Sequence, residues 1–259
     1  MYYLLSSLGL EELNEDSAVP GLNRNTAYTQ KLRLPPLSTQ KKIAHIFSTL
    51  DEKIELNRKL NLTLEDMAQT LFKSWFLDFD PVQAKANASI DSGSDQIAKE
   101  LGISREILDL FPNEFEESEL GMTPKGWDVK ALDNIAHYQN GLTLQKYRPK
   151  DEKYFLPVLK IAQLKKGYAD GEEKADPQIK PEYIVNSGDV VFSWSGSLVV
   201  DVWCGGKAAL NQHLFKVTSE NYSKWFYYYW TKQHLLNFQQ IAADKAVTMG
   251  HIKRSHLSE

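Results

Sequence analysis

Residues 34–81 read LPPLSTQKKIAHIFSTLDEKIELNRKLNLTLEDMAQTLFKSWFLDFDP, and this stretch decides the largest element of the fold. It contains no Gly or Pro between positions 41 and 76, and its apolar residues recur at spacings of three and four. That spacing predicts an amphipathic helix, which would be about 54 Å long at 1.5 Å per residue. Pro35 and Pro36 favour an extended entry into this helix, and Asp80-Pro81 is expected to end it.

A helix of this length is expected to pair with another helix, because a lone apolar stripe would stay exposed to water. Asn57 and Asn61 fall on or beside the stripe, where polar residues fix the register of a coiled coil. The alternative interpretation places both asparagines on a solvated flank. The predicted helix-pairing residues are Ile43, Phe47, Leu50, Ile54, Asn57, Asn61, Leu64 and Leu71.

The composition is that of a globular protein, since 42% of the 259 residues are hydrophobic and 25% are charged. A chain of this length can form one large domain or two small ones. The formal net charge of -4 argues against a histone-like polycation, so any nucleic-acid surface must be local. The single cysteine, Cys204, excludes an internal disulfide and a zinc ribbon. Neither a signal peptide nor a membrane-spanning run is recognisable, and a cytoplasmic location is expected.

Charge is distributed unevenly along the chain. Residues 1–90 carry 10 basic and 11 acidic side chains, residues 91–128 carry 3 and 10, and residues 141–259 carry 16 and 12. An acidic segment between two less acidic parts indicates a linker. We therefore predict the long helix within 37–83, an acidic linker without a core of its own in 84–126, and a separate domain in 127–259.

The last part of the chain has the pattern of strands and turns. Strands are predicted to begin at about 182, 190, 198 and 214, with Gly-containing turns between them, and one helix is predicted over 224–241. The aromatic run at 225–230 is expected to lie largely in the core. The predicted fold class is α+β, with a mixed, strand-rich domain and one long coiled-coil-like helix.

A loose internal repeat relates the two ends of the chain. Residues 2–5 followed by 18–24 echo residues 228–230 followed by 246–254. Self-similarity at a fixed offset indicates a duplicated structural unit. The chain is therefore expected to open, in 1–36, with the closing segment of one domain and to finish at the same point of a second.

Motifs for catalysis are weak. Gly205-Gly206-Lys207 lacks the flanking residues of a phosphate-binding loop and reads as a hairpin turn, and the spacing of the His and acidic residues predicts no metal site. The enzymatic alternative is a metal-dependent nuclease that uses Asp170, Glu172 and Lys174, with two carboxylates on magnesium and the lysine beside the leaving phosphate. These residues fall in a turn-like stretch, so a non-catalytic protein is favoured.

Polar side chains in turns of the mildly basic last part indicate DNA recognition. Asn and Gln can pair with adenine, Lys and Arg with guanine or phosphate, and Ser and Thr with either. Such loops also occur in proteins that bind no DNA, so this signal alone is modest. The predicted DNA-binding residues are Asn140, Thr143, Ser195, Lys207, Gln212, His213, Lys253 and Arg254.

Five stretches of the chain together resemble one known family. They are LPPLSTQKKIA at 34–44, LDEKIELNRKLN at 50–61, LFKSWFLDFDPV at 71–82, LFPNEFEESELGMTPKGW at 110–127 and GDVVFS at 188–193. The first three are similar to the central conserved region of the specificity subunits of type I restriction-modification systems. The fourth resembles the lead into a target-recognition domain of that family, and the fifth resembles its strand-turn pattern. The resemblance covers essentially the whole chain.

The resemblance implies a subunit that reads DNA and does no chemistry itself. In this family two target-recognition domains are held apart by two antiparallel long helices, each domain reads half of a split target, and the helices dock modification subunits. The implied partners are double-stranded DNA, a methyltransferase subunit that brings S-adenosylmethionine, and a restriction or motor subunit that brings ATP and magnesium. This chain itself is expected to bind no cofactor.

The sequence resembles one such helix and one such recognition domain, with 1–36 resembling the closing segment of another recognition domain. The missing second helix leads to the expectation of a homodimer, in which the long helices of two copies pair antiparallel.

Overall fold

The structure is a computed structural model, which describes residues 2–13, 21, 23–88, 93–244 and 250–258. The chain forms two compact units, Met1–Met67 and Ala68–Glu259. Much of the predicted repeat, at 18–20, 22 and 246–249, lies outside the described residues. The proposed duplication therefore stays a prediction.

The first unit contains two short helices and most of the long one. These are α1 (Tyr2–Ser6), α2 (Arg24–Tyr28) and α3 (Leu37–Phe76), with a 3-10 helix at Leu10–Leu13. The ring of Tyr3 stacks on Phe47 with centroids 4.5 Å apart, and the Tyr3 hydroxyl donates a hydrogen bond to Asp51. The 40 residues of α3 confirm the long helix that the apolar spacing predicts.

The long helix ends at Phe76, before the predicted end at Asp80-Pro81. The backbone N–H groups of Leu77 and Asp78 donate to the carbonyl of Lys73, and Phe79 then takes a left-handed conformation with φ of 56°. Helix α4 (Asp80–Ala86) begins at once, with Pro81 in its first turn. Proline is tolerated there because the first N–H groups of a helix have no partner within it. Pro81 therefore starts a new helix.

The segment 84–126 is more ordered than the predicted linker. It contains α5 (Ser94–Glu100), α6 (Arg105–Leu108) and a hairpin of β1 (Phe115–Ser118) and β2 (Gly121–Pro124). Ile97, Ala98 and Leu108 form a small buried cluster. The segment therefore contains short helices and a hairpin that the linker prediction did not include, and the predicted boundaries of the linker stay a prediction.

The rest of the second unit is built on two four-stranded sheets. Its elements are α7 (Leu132–Ile135), β3 (His137–Asn140), β4 (Leu156–Leu159), α8 (Ile161–Lys166), β5 (Lys174–Ala175), β6 (Ile184–Val185), β7 (Val190–Ser193), β8 (Val200–Val202), β9 (Ala208–Leu210), β10 (Leu214–Thr218), α9 (Lys224–Gln233) and α10 (Leu235–Asp244). One sheet has the order β3-β10-β7-β8 and is antiparallel; the other has the order β5-β4-β9-β6, with β4 and β9 parallel. The α+β prediction is confirmed.

Strand β7 holds the two layers of the core together. Val190 and Phe192 pack on one side with α9 and α10, whereas Val191 packs on the other side with residues of the second sheet. Alternate side chains of a strand point to opposite faces, so a strand between two layers must be apolar at every position. The run at 190–192 meets that condition, and all of β7 is buried.

The C-terminal helical region differs from the single helix predicted over 224–241. It forms α9 and α10, which meet at His234. Tyr227 and Tyr228 of the aromatic run are buried, whereas Trp225 remains 49% exposed. Phe72 of α3 packs against Tyr229 and Trp230 of α9, with ring centroids 5.4 and 5.2 Å away. Aromatic contacts thus hold the last turns of the long helix within the second unit.

None of the helices in the described part of the chain combines the length and the apolar character needed to cross a membrane.

The buried hydroxyl of Tyr138 leads to a prediction about stability at high pH. It lies 2.6 Å from the hydroxyl of Thr231, which itself donates to the carbonyl of Tyr227. Burial raises the pKa of Tyr138 above its ordinary value of 10.0. Above about pH 10 the unfolded chain loses this proton and the folded chain keeps it, so the free energy of unfolding falls by up to about 1.4 kcal/mol per pH unit.

We expect Tyr138→Phe to lower the free energy of unfolding by about 1 kcal/mol at neutral pH, because one hydrogen bond is lost. The variant should also lose less of its free energy of unfolding than the wild type when the pH rises above about 10. Urea denaturation at pH 7 and at pH 11 measures both effects. An equal loss of the free energy of unfolding between pH 7 and pH 11 in wild type and variant would show that Tyr138 does not cause the loss.

Candidate nucleic-acid interface

The indole of Trp194, just after β7, lies at the centre of a group of polar side chains. Its Nε1–H lies 3.1 Å from Oδ1 of Asn140 and 3.1 Å from the carbonyl oxygen of Gln212 and donates to both. Its ring centroid is 5.9 Å from that of His213. We call Asn140, Trp194, Ser195, Gln212 and His213 the Trp194 cluster. Three chain segments meet there because β3 and β7 both pair with β10.

The hydrogen bonds of the cluster fix the orientation of its side-chain groups. Asn211, which is buried, donates through Nδ2 to Oε1 of Gln212, so Nε2 of Gln212 faces Nε2 of His213 at 3.3 Å. An amide NH2 can only donate, which makes Nε2 of His213 the acceptor and places the ring proton on Nδ1. That Nδ1–H then donates to Oγ of Ser195 at 2.8 Å.

This network leaves hydrogen-bonding capacity on the exposed side chain of Asn140. Its Oδ1 receives the indole proton, so its NH2 group points the other way as a double donor, and the second lone pair of Oδ1 stays available. An amide with one donor and one acceptor on its outer edge has the geometry that pairs with the N7 and N6 groups of adenine. The cluster therefore presents a fixed amide edge to a ligand.

Close backbone packing holds the two sides of the cluster together. Gly141 lies so near the 210–211 backbone that a Cβ at this position would be 2.2 Å from the carbonyl oxygen of Asn211 and 2.5 Å from that of Leu210. The N–H of Leu142 donates to the carbonyl of Leu210 at 2.9 Å. Only glycine fits there, because it has no side chain.

A fourth segment, residues 250–252, closes over the cluster. The N–H of Ile252 donates to the carbonyl of Trp194 at 3.0 Å, and the N–H of Gly196 donates to the carbonyl of Gly250 at 2.8 Å. The ring of His251 meets Trp194 edge-on, with centroids 6.4 Å apart. Lys253 and the 3-10 helix Arg254–Leu257 follow directly, with the side chains of Lys253 and Arg254 exposed.

The structure thus brings together four of the eight predicted DNA-binding residues, namely Asn140, Ser195, Gln212 and His213. Lys253 and Arg254 follow the segment that contacts Trp194. Thr143 and Lys207 are exposed, and no hydrogen bond or ring contact among the described residues joins them to the cluster. Ser195 is only 3% exposed, so it positions His213 and has little surface for a ligand.

Sequence reasoning missed three residues of this site: Trp194, Asn211 and His251. Asn211 and Trp194 stand beside predicted residues, in the same polar turns, so a signal was present for both. Their roles depend on which turns meet in space. The pairing of β3 with β10 and the bridge between Ser195 and His251 are long-range contacts that a single sequence does not reveal.

The side chains of the nuclease alternative make other contacts. Asp170 accepts hydrogen bonds from Gln163 and from the N–H of Glu172, and the Gln163 contact lowers the pKa of Asp170. Nζ of Lys174 lies 4.6 Å from the ring centroid of Phe155. Within the described residues, no group of three or more His, Cys, Asp or Glu side chains could hold a metal ion. The geometry gives no support to a nuclease site.

The predicted helix-pairing residues all lie on α3. The apolar members Ile43, Phe47, Leu50, Ile54, Leu64 and Leu71 are between 39% and 54% exposed, and Asn57 and Asn61 are exposed as well. An apolar stripe of this size on one helix is the kind of surface that marks a protein interface.

Comparison with known proteins bears on both surfaces. The sequence profile of the family described as "Type I restriction modification DNA specificity domain" matches residues 1–66 and 124–259. The chain is 34% identical over 172 residues to the type I restriction enzyme HindI specificity subunit of Haemophilus influenzae, covering 55% of this chain and 37% of the relative. It is 26% identical over 234 residues to the MjaIX specificity subunit of Methanocaldococcus jannaschii, covering 86% and 46%. These matches thus span less than half of either relative.

Among solved structures, the chain is similar to the HsdS subunit of Thermoanaerobacter tengcongensis, with 14% identity and a TM-score of 0.37 over 99% of this chain and 54% of that one. The sequence matches agree with the resemblance of the central helix and recognition segments, and they do not support the nuclease alternative. The profile covers both the first unit and the strand-rich part of the second. The chain therefore belongs to the family of type I restriction-modification DNA specificity proteins.

Proposed function

We propose that this chain is the DNA-reading component of a type I restriction-modification complex and reads one half of a bipartite target through its strand-rich domain. The observation that carries this proposal is the family match over 1–66 and 124–259. In this function the chain itself does no chemistry. A methyltransferase subunit brings S-adenosylmethionine, and a restriction or motor subunit brings ATP and magnesium.

The Trp194 cluster supports this function because its side chains form a fixed hydrogen-bonding edge on an otherwise ordinary surface. Asn140 and Gln212 are the amides that suit base reading, and Lys207, Lys253 and Arg254 are exposed cations that suit phosphates. Thr143 and His213 complete the set of proposed contacts. Ser195 acts through His213, which it holds by one hydrogen bond.

Methylation mapping tests the proposal most directly. The chain is purified with its cognate methyltransferase subunit, incubated with plasmid DNA and S-adenosylmethionine, and the methylated positions are sequenced. We expect all methylated sites to share one sequence, and we expect neither methyl transfer nor magnesium-dependent cleavage from the rigorously purified chain alone. Robust turnover by the isolated chain, or methylation without sequence preference, would contradict the proposal.

An alanine series separates base contacts from phosphate contacts. We expect Asn140→Ala to cost about 1 to 3 kcal/mol of binding free energy on the target and to relax the preference at one base pair. Lys207→Ala is expected to weaken target and non-target duplexes alike and to reduce the salt dependence. Binding titrations with both duplexes measure the difference. Wild-type affinity for both duplexes throughout the series would show that these residues do not contact the DNA.

We further propose that the apolar stripe of α3 pairs antiparallel with the same helix of a second copy. A two-fold axis at position 59 pairs residues whose numbers sum to 118, which places Ile54 opposite Leu64 and Asn57 opposite Asn61 of the other copy. The same register matches Phe47 with Leu71, and Leu50 with Ala68. Each apolar residue thus meets an apolar residue and amide meets amide, as an isologous interface requires.

A further inference from the structure

The loop 145–154, with sequence QKYRPKDEKY, concentrates positive charge a few residues after Asn140 of the Trp194 cluster in the chain. It carries Lys146, Arg148, Lys150 and Lys153 against two acidic residues, a net charge of +2 in a chain whose net charge is -4. We call this segment the basic loop. It begins within the 3-10 helix Leu144–Lys146 and ends just before β4, and the predicted DNA-binding residues did not include it.

The four cations of the basic loop are exposed and directed at no carboxylate of the described chain. All four side chains are exposed, and in the described residues none of them takes part in an ion pair within 4.0 Å. The one nearby carboxylate with an assigned role, Asp151, accepts a hydrogen bond from the N–H of Lys153 and so stabilises the turn. Four cations against two carboxylates on ten residues leave a local positive surface that suits an anionic ligand.

The basic loop is anchored at both ends, which fixes where its charges lie. Leu144 and Leu156 are buried in the same apolar cluster, and the N–H of Asp176 donates to the carbonyl of Tyr147 at 2.8 Å. At the tip, Asp151 and Tyr154 form an isolated antiparallel bridge. Loss of chain entropy on binding a ligand is therefore small, because the backbone is already held.

Two exposed tyrosines stand directly beside cations of the loop, Tyr147 between Lys146 and Arg148 and Tyr154 after Lys153. Tyr147 is 41% exposed and Tyr154 is 67% exposed. Lysine, arginine and tyrosine side chains all bind phosphate oxygens of a duplex, so this composition suits a phosphate-contacting surface. Lys146 lies six residues after Asn140, so their Cα atoms are at most about 22 Å apart. A duplex whose bases meet Asn140 thus has phosphates within reach of the loop.

We propose that the basic loop contacts the phosphate backbone of duplex DNA and supplies sequence-independent affinity beside the base-reading cluster. This inference rests on the proposed function, since it takes the DNA to lie at the Trp194 cluster. In this proposal the amides of the cluster discriminate between bases, whereas the loop binds any duplex equally. The loop contributes through the release of counterions, so its contribution falls steeply with salt.

The test replaces the four cations together, as Lys146→Gln, Arg148→Gln, Lys150→Gln and Lys153→Gln, in the chain purified with its cognate modification subunit. Affinity for a target duplex and an unrelated duplex is measured between about 50 and 200 mM salt. Each lost phosphate contact lowers the slope of log K against log salt by about 0.9, so four contacts lower it by about 3.6. For each lost contact, the ratio of wild-type to variant affinity falls about 3.5-fold between about 50 and 200 mM salt.

A matched control removes the same charge from the other unit, as Lys31→Gln, Arg33→Gln, Lys41→Gln and Lys42→Gln, all at exposed positions. We expect this control to keep the wild-type slope, and we expect the loop variant to weaken both duplexes alike with wild-type circular dichroism. An equal loss of slope in the control would overturn the proposal, because the effect would then be one of net charge. Weakening of the target duplex alone would also overturn it, since the loop would then read bases.

Two further outcomes distinguish the loop from the proposed function. An unchanged slope with weaker capture of the modification subunit overturns the DNA assignment and makes the loop a protein-docking surface. Absence of any DNA binding by the wild-type assembly overturns the proposed function and the loop proposal together, whereas an unchanged slope in the loop variant overturns the loop proposal alone.

Discussion

Gly141→Ala is expected to weaken target binding and to destabilise the second unit. A Cβ at this position would lie 2.2 Å from the carbonyl oxygen of Asn211, and the obstacle is backbone that a rotamer change cannot move. Overpacking of this kind costs about 1 to 3 kcal/mol of folding free energy. The strand end that carries Asn140 must also shift away from Gln212, so we expect target affinity to fall about 10-fold or more. Urea denaturation and binding titrations measure the two losses.

Gly93→Ala is the matched control for this substitution. A Cβ added at Gly93 would have no other atom within 4 Å, and this glycine precedes α5, outside the Trp194 cluster. We expect wild-type DNA affinity and a change in stability below about 1 kcal/mol, because alanine caps a helix less well than glycine but also restricts the unfolded chain. If Gly141→Ala kept wild-type target affinity, the close approach of residues 141 and 211 would have no role in recognition.

Ile54→Glu is expected to convert a dimer into a monomer. In the proposed register Ile54 meets Leu64 of the second copy, and the two-fold axis places the charge in the interface twice. A buried, unpaired carboxylate costs about 3 kcal/mol, so two of them weaken the dimer by about 6 kcal/mol, more than about 10,000-fold in the dissociation constant. Light scattering should give about twice the 29.6 kDa of the chain for wild type and that mass itself for the variant.

Leu56→Glu and Leu62→Glu are controls on the same helix. Both leucines are apolar and exposed, at 59% and 67%, but they lie off the predicted seam. We expect both control variants to remain dimeric.

Identical DNA-reading domains related by a two-fold axis also predict an interrupted palindrome as the methylated site. A monomeric wild type at micromolar concentration, or an asymmetric bipartite target, would refute the homodimer.

The elements that local patterns specify could be predicted from the sequence. The three-and-four spacing specified α3, and the Gly-containing turns located β7 and β10. The start of α4 could not be predicted in the same way, because a proline such as Pro81 is found both after helices and in their first turn. The division between α9 and α10 at His234 carries no Gly or Pro and leaves no local signal.

The candidate site could be predicted only in part. The polar turns were recognisable one by one, and four of the eight chosen residues meet at Trp194. Which turns meet is decided by the pairing of β3 and β7 with β10. The first of these pairings joins residues more than seventy positions apart, such as Asn140 and Phe215. Such pairings depend on the packing of the whole sheet, and no single window of sequence contains them.

The cluster around Trp194 draws its members from positions 140, 194, 195, 212 and 213 and is closed by residues 250–252. The contacts of Trp194 with Asn140, Gln212 and Ile252 join distant parts of the chain, so they require the folded domain. New DNA sequence preferences would therefore arise in one of two ways. Either single exposed side chains of the cluster change, or the entire stretch from about residue 127 onward is exchanged as one unit. Grafting one turn from a related specificity protein would transfer its side chains without the contacts that orient them.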